Sequence, residues 1–188
     1  MAVATDRLTY EQYMAEPEIR RRYEILDGAR VFMTNPTIQH QKIQGNVYRG
    51  IYAWRQISRA GEVVQAPCDV LIQRIPLRTR QPDVLFISTE RLGGRDLDDP
   101  SPLEPAPELV VEILSPGDTR TVLNDKLADY ARVGVQECWV VHRKVPGVEV
   151  LRLTAEGWES VATYAIGEFV QSIAFPPLTL AVADVFAS

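Results

Sequence analysis

Histidine and cysteine are scarce in this 188-residue chain, with two of each. Cys68 and Cys138 stand far apart and outside any CxxC pair, so they build no disulfide framework, and the expected setting is reducing and cytoplasmic. His40 and His142 show no zinc spacing with each other or with the cysteines. Two histidines leave little to serve a Ser or Cys triad, and no GxSxG elbow occurs. GxxxxGK[ST] and GxGxxG are also missing, so nucleotide-cofactor chemistry has no support. Apolar runs such as Leu109 to Val111 are far too short to cross a bilayer. Met1 to Asp6 lacks the basic start and apolar run of a signal peptide, so no membrane partner is expected. An excess of positive charge is lacking too: the net charge is -5. That argues against a protein that coats nucleic acid through bulk charge. It leaves room for an enzyme that needs carboxylates and only a local cationic patch.

What is present is a globular composition, 46% hydrophobic and 24% charged, in a length that suits one domain over 1–188. Thr9-Tyr10-Glu11-Gln12 fits a capping box and predicts a short helix ending near Pro17. Arg22 to Thr34 reads as a hairpin turning at Asp27-Gly28. Asn35-Pro36 breaks the chain. A long helix follows from Ile38 to Arg59, with Ile43, Val47, Ile51, Trp54 and Ser58 as its inner stripe and Gly61 as its end. Val63-Val64 and Val70-Leu71-Ile72 read as a pair of short strands split by Pro67. Pro76 to Arg80 reads as a basic loop and Val84 to Ile87 as a buried strand. Arg91 to Pro107, rich in Gly, Pro and Asp, reads as a surface loop. Leu109 to Leu114 is the strongest strand signal. A helix is expected from Arg120 to Val133, with Leu123, Leu127, Tyr130 and Ala131 inward and Gly134 as its cap. Glu137 to Val141, Val148 to Leu153, Trp158 to Tyr164 and Phe169 to Phe175 read as strands. Strands interleaved with helices place a mixed sheet between helical layers, an α/β fold of the mixed α+β kind.

Three acids sit where acids are not expected. Asp83 follows Pro82 at the mouth of an apolar strand. Glu112 is embedded in Leu109-Val110-Val111-Glu112-Ile113-Leu114. Glu24 lies in the first arm of the hairpin. A buried carboxylate needs a cation, a donor set or a raised pKa. Acids from neighbouring strands converge readily, and Mg²⁺ or Mn²⁺ is the ion that hard oxygen ligands suit. Asp83 taken alone also reads as a turn residue opening a strand. Glu24 also reads as a surface ion pair with Arg20, Arg21 or Arg22. Lys126 falls at the border of the buried helix face, roughly 40° from Tyr130. There it can point along the sheet toward the acids, or simply snorkel to solvent.

These residues carry a resemblance. Pro82-Asp83, then Glu112-Ile113-Leu114-Ser115-Pro116, then Lys126, Tyr130 and Gly134-Val135-Gln136-Glu137-Cys138-Trp139 resemble the Uma-two family of the restriction-endonuclease-like PD-(D/E)xK superfamily. Tyr23-Glu24-Ile25-Leu26-Asp27-Gly28, and His40 after Asn35-Pro36, are similar to the same family. The resemblance runs from about Tyr23 to Val141. It implies a nuclease core over about 22–142, with residues 143–188 adding further strands. It implies that Asp83 and Glu112 bind a divalent metal with the backbone carbonyl of Ile113, and that Glu24 ligates or holds a second metal. Leu114 stands where the superfamily usually has its lysine, and Lys126 fits those branches that draw the lysine from the following helix. His142 stands where relatives often have an acid.

The implied chemistry is endonucleolytic hydrolysis of a phosphodiester, with DNA as the expected partner. Asp83 and Glu112 would ligate, and Lys126 would orient the nucleophile or offset charge on the phosphate. His40 could touch phosphate, although a lone histidine more often caps a helix or faces solvent. The rivals are a nuclease fold used only for binding or assembly, and a structural protein in which Glu112 and Lys126 form a plain salt bridge. Arg20 to Arg22, Arg49, Arg55, Arg74, Arg78 and Arg80 are the basic residues available for phosphate contact. Leu103, Val170, Ile173, Phe175 and Leu178 suggest an apolar surface on which two copies could pair as a homodimer.

Overall fold

The computed structural model describes residues 7–17, 19, 21–115, 117 and 119–187; Arg20 and Pro116, named above, lie outside these. In chain order the elements are α1 (Tyr10–Ala15), β1 (Tyr23–Leu26), β2 (Ala29–Phe32), α2 (Ile38–Ser58), β3 (Gly61–Gln65), β4 (Val70–Gln73), β5 (Arg78–Arg80), β6 (Val84–Ser88), α3 (Thr89–Leu92), β7 (Leu109–Ile113), α4 (Arg120–Arg132), β8 (Glu137–His142), β9 (Gly147–Thr154), β10 (Gly157–Ala165), β11 (Phe169–Gln171), β12 (Thr179–Ala181) and α5 (Val182–Val185).

The apolar run Leu109–Ile113 becomes an inner strand of a six-stranded sheet ordered β10-β9-β8-β7-β6-β3. Only β7 and β8 run parallel, joined through α4 as a crossover unit; the other neighbours are antiparallel. Alternation along the strands feeds two cores. Val84, Phe86, Leu109, Val111 and Ile113 pack with Ile43, Val47 and Ile51 of α2. Leu85, Ile87 and Val110 pack with Leu127 and Tyr130 of α4. Burial of such a side chain stabilises by about 1.5–3 kcal/mol, so strand and helix periodicities jointly fix this layering. The same alternation puts Glu112 on the α4 face.

A second sheet, ordered β2-β1-β5-β4, carries the hairpin. Asp27 (φ 52°) and Gly28 (φ 81°) both adopt left-handed backbone, the geometry that a two-residue hairpin turn requires.

Several expectations change. The basic loop at Pro76 to Arg80 is instead strand β5, flanked by β1 and β4, and Arg78 and Arg80 are buried. Ion pairs with α4 offset the cost of burying those guanidiniums, a compensation that local polarity does not reveal. The two strands split by Pro67 do not pair with each other: β3 joins the large sheet and β4 the small one. Ser58 is exposed, and α2 ends at Arg59, in left-handed conformation. Gly61 instead begins β3, where a Cβ would collide with the carbonyl oxygen of Ile87. Segment 91–107 is tied down: Leu103 and Ala106 are buried, and Leu103 bridges to Val70.

The chain after 142 adds a helix as well as strands. Val148, Val150, Val170, Leu178, Leu180, Val182 and Val185 all join the core facing α2. Leu103, Val170 and Leu178 are therefore interior residues, and the apolar surface expected from them is absent.

Candidate active site

Backbone geometry sets the two strand acids side by side. Val84 pairs with Val111, and Asp83 N donates to Val111 O at 3.1 Å, so the register carried one step places Asp83 opposite Glu112. Residues opposite each other across antiparallel strands have neighbouring side chains.

Asp83 is buried, and its carboxylate is surrounded by donors. Oδ2 accepts from Ile113 N at 2.8 Å and lies 3.3 Å from His40 Nε2. Helix α2 clamps the main chain as well, since Gln44 Nε2 donates to Asp83 O at 2.9 Å. Burial pushes the Asp83 carboxyl up, but His40, Ile113 N–H and the Lys126 charge outweigh it, leaving its pKa below the ordinary aspartate value. His40 Nε2 also lies 3.1 Å from Ile113 O, while Nδ1 is buried without a partner among the described residues. His40 is thus neither exposed nor a mere cap: it is 5% exposed and joins Asp83 to Ile113.

Glu112 takes the opposite shift. Burial is the main cause and the nearby Asp83 charge adds to it; Lys126 and Tyr130 counter only part, so the carboxyl is raised. Lys126 Nζ donates to Glu112 Oε2 at 2.6 Å, and the Tyr130 hydroxyl donates to Oε1. The two donors lie four residues apart on α4, on one helix face. Burial lowers the Lys126 pKa, but Glu112, Glu24 and Asp83 outweigh it and hold the ammonium charged. The expected approach of Lys126 to the acids is met.

Glu24 is placed differently from the expected surface pair with Arg20 to Arg22. It is 5% exposed, and Oε2 accepts from Arg80 Nη1 at 2.7 Å. Its Oε1 accepts from Gln81 N at 3.1 Å and lies 4.0 Å from Lys126 Nζ. Arg80 also binds Asp129, at 2.6 Å, and Asp125; Arg78 binds Asp129 at 2.7 Å and Asp125 at 3.0 Å. Arg78 and Arg80 are therefore committed to α4 and unavailable to phosphate. Gln44 acts on the site without having been marked in the sequence, whereas Tyr130 stood in the family pattern without a role and Arg80 stood among the candidate phosphate contacts. Polar residues at buried helical spacing, His40 and Gln44, were the legible signal for one of them.

Charge decides what the arrangement can hold. Six carboxylates, Glu24, Asp27, Asp83, Glu112, Asp125 and Asp129, face three cations, Arg78, Arg80 and Lys126. Asp27 and Asp125 are half exposed and partly screened, but Glu24, Asp83, Glu112 and Asp129 are buried. Among the described residues no three His, Cys, Asp or Glu side chains close into a metal cage. Two carboxylates and a carbonyl still suit Mg²⁺ or Mn²⁺, because Mg²⁺ keeps several waters and binds through one or two carboxylates plus substrate phosphate. The acid surplus fits that donor set.

Comparison with known proteins agrees with the fold. No curated protein matches the chain. A solved structure described as "a putative nuclease belonging to DUF820", from Anabaena variabilis ATCC 29413, superposes with a TM-score of 0.77 at 20% identity, over 95% of this chain and 97% of that one. The mixed sheet flanked by helices is thus shared with that protein. The family model Uma2, described as "Putative restriction endonuclease", matches residues 9–183, and the chain belongs to the Uma2 family.

Proposed function

We propose that this protein is a divalent-metal-dependent endonuclease that hydrolyses phosphodiester bonds, with DNA as its substrate. One observation carries the reading: Asp83, Glu112 and Lys126, from two adjacent strands and the helix that follows, converge at one strand end with an excess of buried negative charge. The family description and the shared nuclease fold support it.

Asp83, Glu112 and the Ile113 carbonyl would hold Mg²⁺ or Mn²⁺. When bound, the ion supplies Lewis acidity toward a phosphoryl oxygen and lowers the pKa of water. The protein's own groups do the rest. Asp83 stays ionised because His40 and Ile113 N–H hold it. Lys126 presents a fixed ammonium that orients the attacking water and offsets charge gathering on the phosphate. Tyr130 fixes the second oxygen of Glu112. Glu24, whose Oε1 lies 4.0 Å from Lys126 Nζ, keeps Lys126 charged and in place, and would ligate or hold a second metal. His40 positions Asp83 and Ile113 instead of touching phosphate.

The Glu112–Lys126 pair alone would suit a purely structural salt bridge, but such a bridge gives no reason for Asp83 beside it. Two copies acting on two strands is the matching assembly, in a cytoplasmic setting; a sedimentation mass of one chain at micromolar concentration removes the dimer. The test is cleavage of supercoiled plasmid, single-stranded DNA and RNA with Mg²⁺, Mn²⁺ or EDTA, beside Asp83→Ala. Metal-dependent cutting that disappears in Asp83→Ala supports the proposal. A folded protein that cuts none of the substrates overturns it.

A further inference from the structure

We propose that a cleft beside the carboxylates binds the nucleic-acid backbone next to the scissile phosphate, with Arg143 as its anchor. The proposal rests on the nuclease reading above and adds a binding site to it. The cleft lies between the start of α2, the β8–β9 turn and β10, with a volume of about 590 Å³, within the range of ligand sites. Gln39 and Leu114 line it, the chain neighbours of His40 and Ile113, both of which contact Asp83, so it lies next to the residues that hold that acid. Lys144, Val145 and Tyr164 complete its wall.

Arg143 is held but not satisfied. Its Nη2 donates to Thr37 Oγ1 at 3.2 Å and Gln39 Oε1 at 3.0 Å. Thr37 also caps α2 by accepting from His40 N at 3.2 Å. One helical turn therefore fixes both His40 and the Arg143 guanidinium. Arg143 Nε and Nη1 are buried and have no hydrogen-bond partner among the described residues. Among the described residues Arg143 has no carboxylate partner, whereas Arg78 and Arg80 are neutralised by acids. A guanidinium with buried, unpaired donors is costly, and a side-chain shift that turns those donors into the cleft would let an anion recover the cost. Lys144 is exposed next to it, and Val145 is 79% exposed at the lip. A cation pair beside apolar wall and a tyrosine ring fits a phosphodiester flanked by sugar and base.

The test is fluorescence anisotropy of a labelled DNA duplex titrated with the intact protein in EDTA at several salt concentrations. Arg143→Gln should weaken binding about tenfold or more. It should also lower the slope of log affinity against log salt by about 0.9, the loss of one phosphate contact. Arg143→Lys should keep the slope and lose part of the affinity. Val145→Glu, at an exposed position that folding tolerates, should weaken binding in the same direction. Arg152→Gln, on the same sheet but paired with Glu159, should change neither quantity. Affinity and slope unchanged in both Arg143→Gln and Val145→Glu overturn the proposal while leaving the nuclease reading intact. A wild-type protein that binds no nucleic acid and cuts none overturns both.

Discussion

Removing the Lys126 ammonium isolates the interaction on which the site depends. Lys126→Met keeps the length and apolar stem of the side chain but leaves Glu112 buried, with only Tyr130 as donor. Breaking one partner of a buried pair costs about 3–5 kcal/mol. In a chain of this size each kcal/mol lowers Tm by about 2–4 °C, so the expected fall is about 6–20 °C. The sign of its pH dependence follows from Glu112. Its carboxyl is raised in the folded state, so its contribution is most favourable when protonated and declines as pH climbs above its ordinary value of 4.5. Loss of Lys126 raises that carboxyl further. The penalty is therefore larger at pH 7.5 than at pH 4.5. Glu112→Gln removes the orphaned charge, so Lys126→Met should cost at least about 2 kcal/mol less in that background. Urea melts of the four proteins at both pH values give the cycle. An equal cost in both backgrounds, or a pH-independent cost, would refute the reasoning.

Other perturbations reach the surroundings of the site. Arg80→Ala leaves the buried Glu24 without its arginine while Asp129 keeps Arg78, so urea denaturation should show a loss of about 3–5 kcal/mol, with cleavage falling too as Lys126 loses its support. Glu137→Ala leaves Trp139 Nε1, Ser172 Oγ and the N–H groups of Ile173 and Ala174 without their acceptor; a loss of at least about 3 kcal/mol in the same measurement is expected, and under about 1 would count against it. Burial raises the Asp69 carboxyl although the Tyr13 hydroxyl opposes the shift, so its contribution to stability declines as pH rises above 3.8. Asp69→Asn should therefore gain on wild type between pH 4 and pH 7, read as the difference in Tm; a flat difference would exclude the assignment.

The sequence carried the layering well, and for a physical reason. Strand runs such as Val84–Ile87 and Leu109–Ile113 are buried on both faces, so their composition alone marks them. Glu112 was legible because a charge inside such a run has no bland explanation, and Lys126 because its helical angle points it back at the sheet. Pro76 to Arg80 failed because two arginines look solvated until their acids arrive from α4, some 45 or more residues away in the chain. Glu24 failed likewise: neighbouring arginines suggested a local pair, while the true partner, Arg80, comes from another strand. His40 looked like a cap because its contacts, Asp83 and Ile113, exist only after β6 and β7 pair. Arg143 gave no signal at all, since an arginine in a turn is ordinary until its donors are seen to be unpaired.

The central claim is that Asp83 and Glu112 form a cation site and not only a salt bridge with Lys126. Electron paramagnetic resonance of Mn²⁺ titrated into the wild-type chain and into Asp83→Ala tests it most directly. The account predicts a saturable site near one ion per chain in wild type, lost in Asp83→Ala while the variant remains folded. No bound Mn²⁺ in wild type, or equal binding in Asp83→Ala, would contradict it.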